Sequence, residues 1–297
     1  MQKSIKKITK IKKISLSQKV DFTVELLEKF YTAKKGQIYI SFSGGKDSTV
    51  LLYLARLLFP NVVATFFNTG LEFPEIISFV NQKNNINIIH PKNNFKFIIE
   101  KYGIPYPTKM VAHTIDQIRN TKSDKLRDKL LNGCEKGNFR KLAKKWRHLL
   151  DYDIKFSAKC CTFLKVYPAT KYKRETGLSP VLGVTSGESY LRDFYNNKQK
   201  NCFINENTIK LEPLKHWTQA DILLFIKKRK IDISEIYSKG YKRTGCMFCL
   251  FGIKQETQGN NKKNRLQLLR ETHPKQHNYI INKLNFKNLL DKENIKY

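Results

Sequence analysis

QIYISFSGGKDSTVLLYLARLLF, residues 37–59, is the stretch that decides how this chain is read. QIYISF is a short β-rich run, and TVLLYLARLLF is a strongly apolar helix; SGGKDS breaks one from the other. Gly44 and Gly45 let the backbone approach an anion closely and turn N–H groups toward it. The N-terminus of the following helix adds free amides and the positive end of its dipole. Lys46 can neutralise a phosphate, and Asp47 can hold magnesium or shape the loop. Ser43 opens the loop, and Ser48 and Thr49 can donate hydroxyls. The Walker A pattern GxxxxGK[ST] is absent, so this is a phosphate loop of another kind. Residues 43–49 are expected to bind a nucleotide, with Lys46 and Asp47 in catalytic roles.

Working outward, Val20, Phe22, Val24, Leu26, Leu27 and Phe30 mark an amphipathic helix that Gly36 stops, behind a basic arm over residues 1–18. NVVATFFN (61–68) reads as the next strand, FPEIISFVNQK (73–83) as a helix and INIIHP (86–91) as a third strand. Strand, helix, strand, helix, strand with short links predicts right-handed βαβ units and a parallel sheet. Asn68, Thr69 and Gly70 end the second strand, at the crevice where such sheets bind ligands. Residues 95–153 read as mainly helical, with a dense basic segment over 122–148: an insertion above the sheet's ligand edge, or a solvated hairpin. A loop SAKCCTFLKVYP (157–168), a helix through Tyr172 and a strand-like PVLGVTS (180–186) follow. Thr218 and Asp221 have capping-box spacing before another apolar helix, and the remainder is helical and basic. The expected division is an arm and helix over 1–35, a nucleotide-binding α/β domain over 36–204, and a smaller cysteine-bearing subdomain over 205–297.

The formal net charge is +31, from 56 Lys and Arg against 25 Asp and Glu. Such a surplus suits a polyanionic partner such as DNA or tRNA. The abundance of Lys, Asn and Ile together, as in NQKNNINII, equally suits an AT-rich coding sequence. No apolar stretch approaches a bilayer span, and the basic N-terminus has no apolar core of a secretion signal. The expectation is a cytoplasmic protein with no membrane partner.

The six cysteines argue in that setting for metal or redox use rather than a disulfide framework. Cys134 and Cys202 stand alone and read as incidental thiols. Cys160-Cys161 and Cys246-x-x-Cys249 supply four soft ligands, suited to an iron–sulfur cluster or to structural zinc. The directly adjacent pair favours the cluster over zinc. His113, His148, His216 and His273 have no ligand-like spacing and read as structural or surface residues.

SGGKDS, between a strand and a helix, resembles the PP-loop ATP pyrophosphatase family of the adenine nucleotide alpha-hydrolase-like superfamily, whose members cleave ATP between the α- and β-phosphates. The resemblance implies a Rossmann-like parallel-sheet domain and places Asn68, Thr69 and Gly70 near the nucleotide. A wider set of residues resembles the phosphoadenosine phosphosulfate (PAPS) reductase family: NTGLEFPE, the CC pair with Lys165 and Pro168, Gly183 with Glu188-Ser189-x-x-Arg192, Pro213 with Trp217-Thr218 and Asp221, Tyr237-x-x-Gly240, and GCMFC. It runs from about residue 37 to about 252. By that resemblance Cys160, Cys161, Cys246 and Cys249 ligate a 4Fe–4S cluster. Glu188 and Arg192 are candidates to bind nucleotide or activate a substrate, with a surface or core ion pair as the alternative.

Two departures shape the expected chemistry. Sulfonucleotide reductases attack with a cysteine in an ECGLH-like motif near the C-terminus, and here no cysteine follows Cys249. The family's GxRxxES arginine is Thr185 in this chain. The intact SGGKDS favours ATP and resembles ATP-dependent sulfur-transfer proteins, including PP-loop subunits of DNA phosphorothioation systems. The expectation is an enzyme that uses ATP with magnesium to activate an acceptor for sulfur transfer, with a nucleic-acid acceptor and a sulfur-donor protein as partners. The alternatives are a sulfonucleotide reductase that releases sulfite, and a nucleic-acid-binding protein with a vestigial nucleotide site.

Overall fold

A computed structural model describes residues 15–134, 140–186, 207–256 and 263–297. In chain order its principal elements are α1 (Leu16–Ala33), β1 (Ile38–Ser41), α2 (Lys46–Leu58), β2 (Ala64–Phe67), α3 (Pro74–Asn81) and β3 (Ile86–Ile89). Then come α4 (Phe95–Tyr102), α5 (Lys109–Asn120), α6 (Asp124–Asn132), α7 (Tyr167–Thr176), β4 (Ser179–Leu182), α8 (Gln219–Arg229) and α9 (Arg265–Thr272). Short helical turns fill much of the rest. No helix among the described residues is long and apolar enough to cross a membrane.

The chain divides into two compact units. The first comprises Met1–Asn68, Phe73–Ile89 and Pro168–Thr244, and it holds the sheet. Strand order is β3-β2-β1-β4, and every pairing is parallel. This is the expected α/β fold. The strands are short and apolar because helices must cover a parallel sheet on both faces. Ile38, Tyr39, Ile40, Ala64, Phe66 and Val181 are buried, as are Val50, Leu51, Leu54 and Ala55 of α2. At about 25 cal/mol per Å2 of apolar surface, each such Leu contributes on the order of 2 kcal/mol.

The N-terminal helix begins earlier than expected, inside the stretch read as a basic arm. Ser15 caps it: its hydroxyl accepts from the Gln18 N–H, and the Gln18 side chain accepts from the Ser15 N–H. That reciprocal pair satisfies two orphan donors, so helix starts at Leu16. Residues 1–14 lie outside the described residues. The capping box at Thr218 and Asp221 forms as the spacing predicts. Its Asp221 also takes the ammonium of buried Lys19 at 2.6 Å. His216 is buried beside Lys19 and Thr23. Burial holds its imidazole down at about 4, against the hydrogen bond to the Lys19 carbonyl, so it is a neutral core histidine.

The second unit comprises Thr69–Glu72, His90–Tyr167 and Gly245–Tyr297. The boundary between the two units in this part of the chain falls after Thr244. Among its described residues, the stretch 95–153 carries α4, α5, α6 and a 3-10 turn (Lys144–Leu150). The loop expected around Cys160 is instead helical: a turn over Lys159–Cys161, then a π turn over Thr162–Val166 that leads into α7. Pro168 has no N–H to give, so the regular ladder cannot pass through it. The Tyr167 N–H reaches back five residues to the Thr162 carbonyl, which widens the turn.

A buried carboxylate organises the far side of this unit. Glu293, with its side chain 1% exposed, accepts from Tyr106 and Tyr152, from His148 at 2.9 Å and from Lys254 at 2.7 Å. Burial opposes its charge, but these four donors prevail and hold the carboxyl down at about 2. His148 thus has the structural role expected of it.

Candidate active site

In the first unit, β1 ends and α2 begins on either side of the phosphate loop. Gly44 has φ +70, a left-handed value, and an added Cβ would lie 2.8 Å from Ile76 Cγ2. Both the twist and the space therefore demand glycine. Gly45 is the N-cap of α2, and a Cβ there would meet Thr244 Oγ1 at 2.7 Å. The turn is fastened internally. Ser48 Oγ donates to the Gly45 carbonyl at 2.8 Å and accepts from the Ser43 N–H at 3.2 Å. Thr49 Oγ1 donates to the same carbonyl at 3.0 Å. The two hydroxyls expected to reach for phosphate thus hold the loop's shape here. The end of β4 closes on the same turn, since a Cβ on Gly183 would lie 3.0 Å from the Ser48 backbone.

Lys46 is buried at the first turn of α2. Its ammonium donates to the Lys242 carbonyl at 2.8 Å and lies 5.1 Å from the centre of the Tyr237 ring. Its backbone N–H donates to the Tyr237 hydroxyl at 2.8 Å. Burial lowers the ammonium's pKa, against the pull of neighbouring Asp47. Burial likewise raises the Asp47 carboxyl, against Lys46, Gln219 and Arg243. Gln219 Nε2 bridges Asp47 at 3.3 Å and Thr185 Oγ1 at 3.0 Å. The residue standing where the family has an arginine is therefore tied through an amide to the acidic member of the loop.

Sequence reasoning gave no role to Gln219, Lys242 or Thr244, and it noted Tyr237 only as part of a resemblance. They are remote in sequence from residues 43–49, and no local pattern marks them. Glu188 and Arg192 lie outside the described residues, as does Cys202. Asn68 belongs to the first unit, where its N–H donates to the Ile89 carbonyl. Thr69 and Gly70 belong to the second. There the Thr69 N–H and hydroxyl both donate to the Glu72 carboxylate, at 2.9 and 2.7 Å, across a turn with Gly70 at φ +75.

The second unit brings the four paired cysteines to one small pocket, with Leu71, Phe95, Pro105, Leu164 and Lys165 completing its wall. None of the four is joined in a disulfide. The Cys246–Cys249 turn is pinned at several points. The Met247 N–H donates to the Leu71 carbonyl at 2.9 Å, and the Gly252 N–H to the Pro107 carbonyl at 2.8 Å. Arg265, paired with Glu256, donates to the Cys249 carbonyl at 3.0 Å. A hydrogen bond within the adjacent pair raises the Cys160 thiol and lowers that of Cys161, which Lys109 and Lys165 also favour as thiolate. Burial raises Cys246 and Cys249. Lys165 turns its ammonium to Cys246 and Glu72; burial disfavours that charge, but the two partners outweigh it and raise its pKa.

This donor set suits an iron–sulfur cluster in kind: four soft sulfurs on a largely apolar cavity, with cations nearby. Among the described residues, no three His, Cys, Asp or Glu side chains are drawn together as ligands of a metal ion. The fit is therefore one of ligand chemistry and shared cavity.

A sequence model of the phosphoadenosine phosphosulfate reductase domain matches residues 37–130 and 109–250. The chain belongs to the PAPS reductase family. Among relatives of this family member, an uncharacterized protein of Methanocaldococcus jannaschii is 27% identical over 263 residues, spanning 86% of this chain and 50% of that one. A second from the same organism is 24% identical, and the match spans 38% of its length. The chain thus spans half or less of these two relatives. An adenosine 5'-phosphosulfate reductase of a Geobacillus species is 25% identical over 221 residues, covering 72% of this chain and 73% of the enzyme.

Among solved structures, a PAPS reductase from Candida auris in complex with phosphate aligns with TM-score 0.42 and 18% identity, over 78% of this chain and 97% of that one. The U34-tRNA thiolase NcsA from Methanococcus maripaludis, with its [4Fe-4S] cluster, aligns with TM-score 0.34 and 15% identity, over 91% and 80%. At such scores neither likeness assigns a role to any residue of this PAPS reductase family chain.

Proposed function

We propose that this PAPS reductase family chain is a PP-loop enzyme that cleaves ATP at the α–β phosphate bond to activate an acceptor, for sulfur transfer. The observation that carries the reading is the complete phosphate loop. Gly44 is left-handed, Gly45 caps α2, and Lys46 and Asp47 follow in its first turn. An acceptor atom attacks the α-phosphorus, the bond to the bridging oxygen breaks, and pyrophosphate leaves with the electron pair. Lys46 and the α2 amides stabilise the negative charge that gathers on the phosphate oxygens. Asp47 would hold magnesium, which would supply further charge neutralisation. Gln219 orients Asp47. Glu188, Arg192, Asn68, Thr69 and Gly70 complete the proposed nucleotide contacts.

Cys160, Cys161, Cys246 and Cys249 would hold a 4Fe–4S cluster, which when bound supplies sulfur-handling chemistry. Zinc is the alternative occupant of the same thiols. The surplus of basic charge suits a nucleic-acid acceptor, and the sulfur would come from a donor protein. A cytoplasmic setting completes the reading. Pyrophosphate release from ATP across candidate acceptors tests it, with the Lys46→Ala protein as control.

The family match favours one second reading, sulfonucleotide reduction with release of sulfite. It predicts thiol-dependent sulfite formation without ATP. It also needs a nucleophile that residues 250–297 do not offer as a cysteine.

A further inference from the structure

The helical turn that carries Cys160 inward carries different residues outward. Phe163 stacks on Tyr102 of α4, with centroids 5.1 Å apart and planes 15° from parallel. Tyr167 meets Phe163 edge-on, also at 5.1 Å. Lys159 lies 4.6 Å from the centre of the Tyr102 ring. Lys101 lies between two rings, 5.4 Å from Tyr102 and 5.6 Å from Phe97. The ends of this row are open: Phe97 is 45% exposed and Tyr167 54%. Acidic Glu100 and Asp116 border it, each matched by a lysine, Lys96 at 3.8 Å and Lys159 at 3.9 Å.

A core would bury these rings, whereas here Phe97 and Tyr167 stay exposed and Tyr102 and Phe163 partly so. Alternating aromatic rings and ammonium groups suit a ligand that has flat π faces and regularly spaced negative charge. An acidic protein would need only the lysines. A duplex keeps its base faces stacked and out of reach, whereas unpaired loops are a standing feature of RNA. The geometry points to a docking surface for a single-stranded segment of RNA on Phe97, Lys101, Tyr102, Lys159, Phe163 and Tyr167. Bases stack on Phe97 and Tyr167, and Lys101 and Lys159 meet the phosphates. This deepens the acceptor half of the proposed function and rests on that reading only for the acceptor's purpose.

The test uses the full chain without ATP, so that binding is separated from nucleotide turnover. Fluorescence anisotropy is measured with a labelled single-stranded RNA oligonucleotide, with DNA of the same sequence, and with the RNA duplex. The single-stranded RNA is expected to bind most tightly. Phe97→Ala and Tyr167→Ala should each weaken it about tenfold, and Tyr167→Phe should retain it. Lys101→Ala should lessen the salt dependence by roughly 0.7 in log–log slope. Circular dichroism matching the parent chain confirms that the exposed-site variants fold. Alanine variants that bind RNA as the parent does would overturn the surface. Equal or tighter binding of duplex or DNA would overturn the choice of single-stranded RNA. Loss of ATP turnover with these binding results intact would count against the proposed function alone.

Discussion

The backbone N–H of Lys46 donates to the hydroxyl of Tyr237, 191 residues further along the chain, at 2.8 Å. That amide is one of the free donors at the start of α2, where a phosphate oxygen would bind. The Tyr237 hydroxyl holds that amide, and the Lys242 carbonyl holds the Lys46 ammonium. On the proposed reading a bound phosphate would displace both. Removing the hydroxyl frees the amide without disturbing the ring, so Tyr237→Phe is expected to bind ATP severalfold more tightly, for a hydrogen bond worth about 1 kcal/mol. Titration calorimetry with ATP and magnesium measures this. A large loss of affinity would mean that the hydroxyl binds the nucleotide instead.

Gly44→Ala combines a left-handed φ with a 2.8 Å approach to Ile76. The expected cost is about 1–3 kcal/mol of stability, read as a lower thermal midpoint, together with weaker ATP binding. Gly70→Ala is a useful contrast, because nothing lies within 4 Å of its added Cβ and only the φ of +75 opposes it. It should cost less.

Anaerobic purification followed by iron and sulfide analysis tests the cysteine cavity. The parent chain is expected to carry both elements. Cys246→Ser and Cys160→Ser should each lower the content sharply, whereas Cys134→Ser, at an exposed thiol outside the cysteine pocket, should leave it unchanged. Zinc in the parent chain without iron would replace the cluster with a structural metal on the same ligands.

Glu293 sets an acid limit on stability. Its carboxyl lies near 2 in the folded chain against an ordinary 4.5, so the folded value is depressed. Its contribution is therefore complete above about pH 4.5 and is lost as pH falls from there toward 2. At neutral pH it amounts to roughly 3 kcal/mol. Urea unfolding should find Glu293→Gln less stable than the parent at pH 7, with the difference narrowing near pH 3.

The sheet was legible because its signals are local. Each strand is a short run, and the helices after β1 and β2 have starts marked by Gly45 and Pro74. Residues 43–49 were legible for the same reason, and the cysteine pairs announced themselves by spacing. The N-terminus of α1 was missed because Ser15 and Gln18 lie within a basic stretch whose charge outweighed the capping pattern. The helical setting of Cys160 was missed because Pro168 reads as a breaker, while a π turn lets the helix continue past it. Lys242 and Gln219 could not be read at all, and Tyr237 only as part of a resemblance. Their importance comes from tertiary approach to Lys46 and Asp47, and nothing in their own neighbourhoods records it.

The most direct test of the ATP reading is pyrophosphate release with ATP and magnesium, in the parent chain and in Lys46→Ala, across RNA, DNA and small-molecule acceptors. The account predicts acceptor-dependent release by the parent chain, and a loss of about a hundredfold or more when the Lys46 ammonium is removed from the phosphate loop. Normal ATP binding and turnover by Lys46→Ala would contradict it.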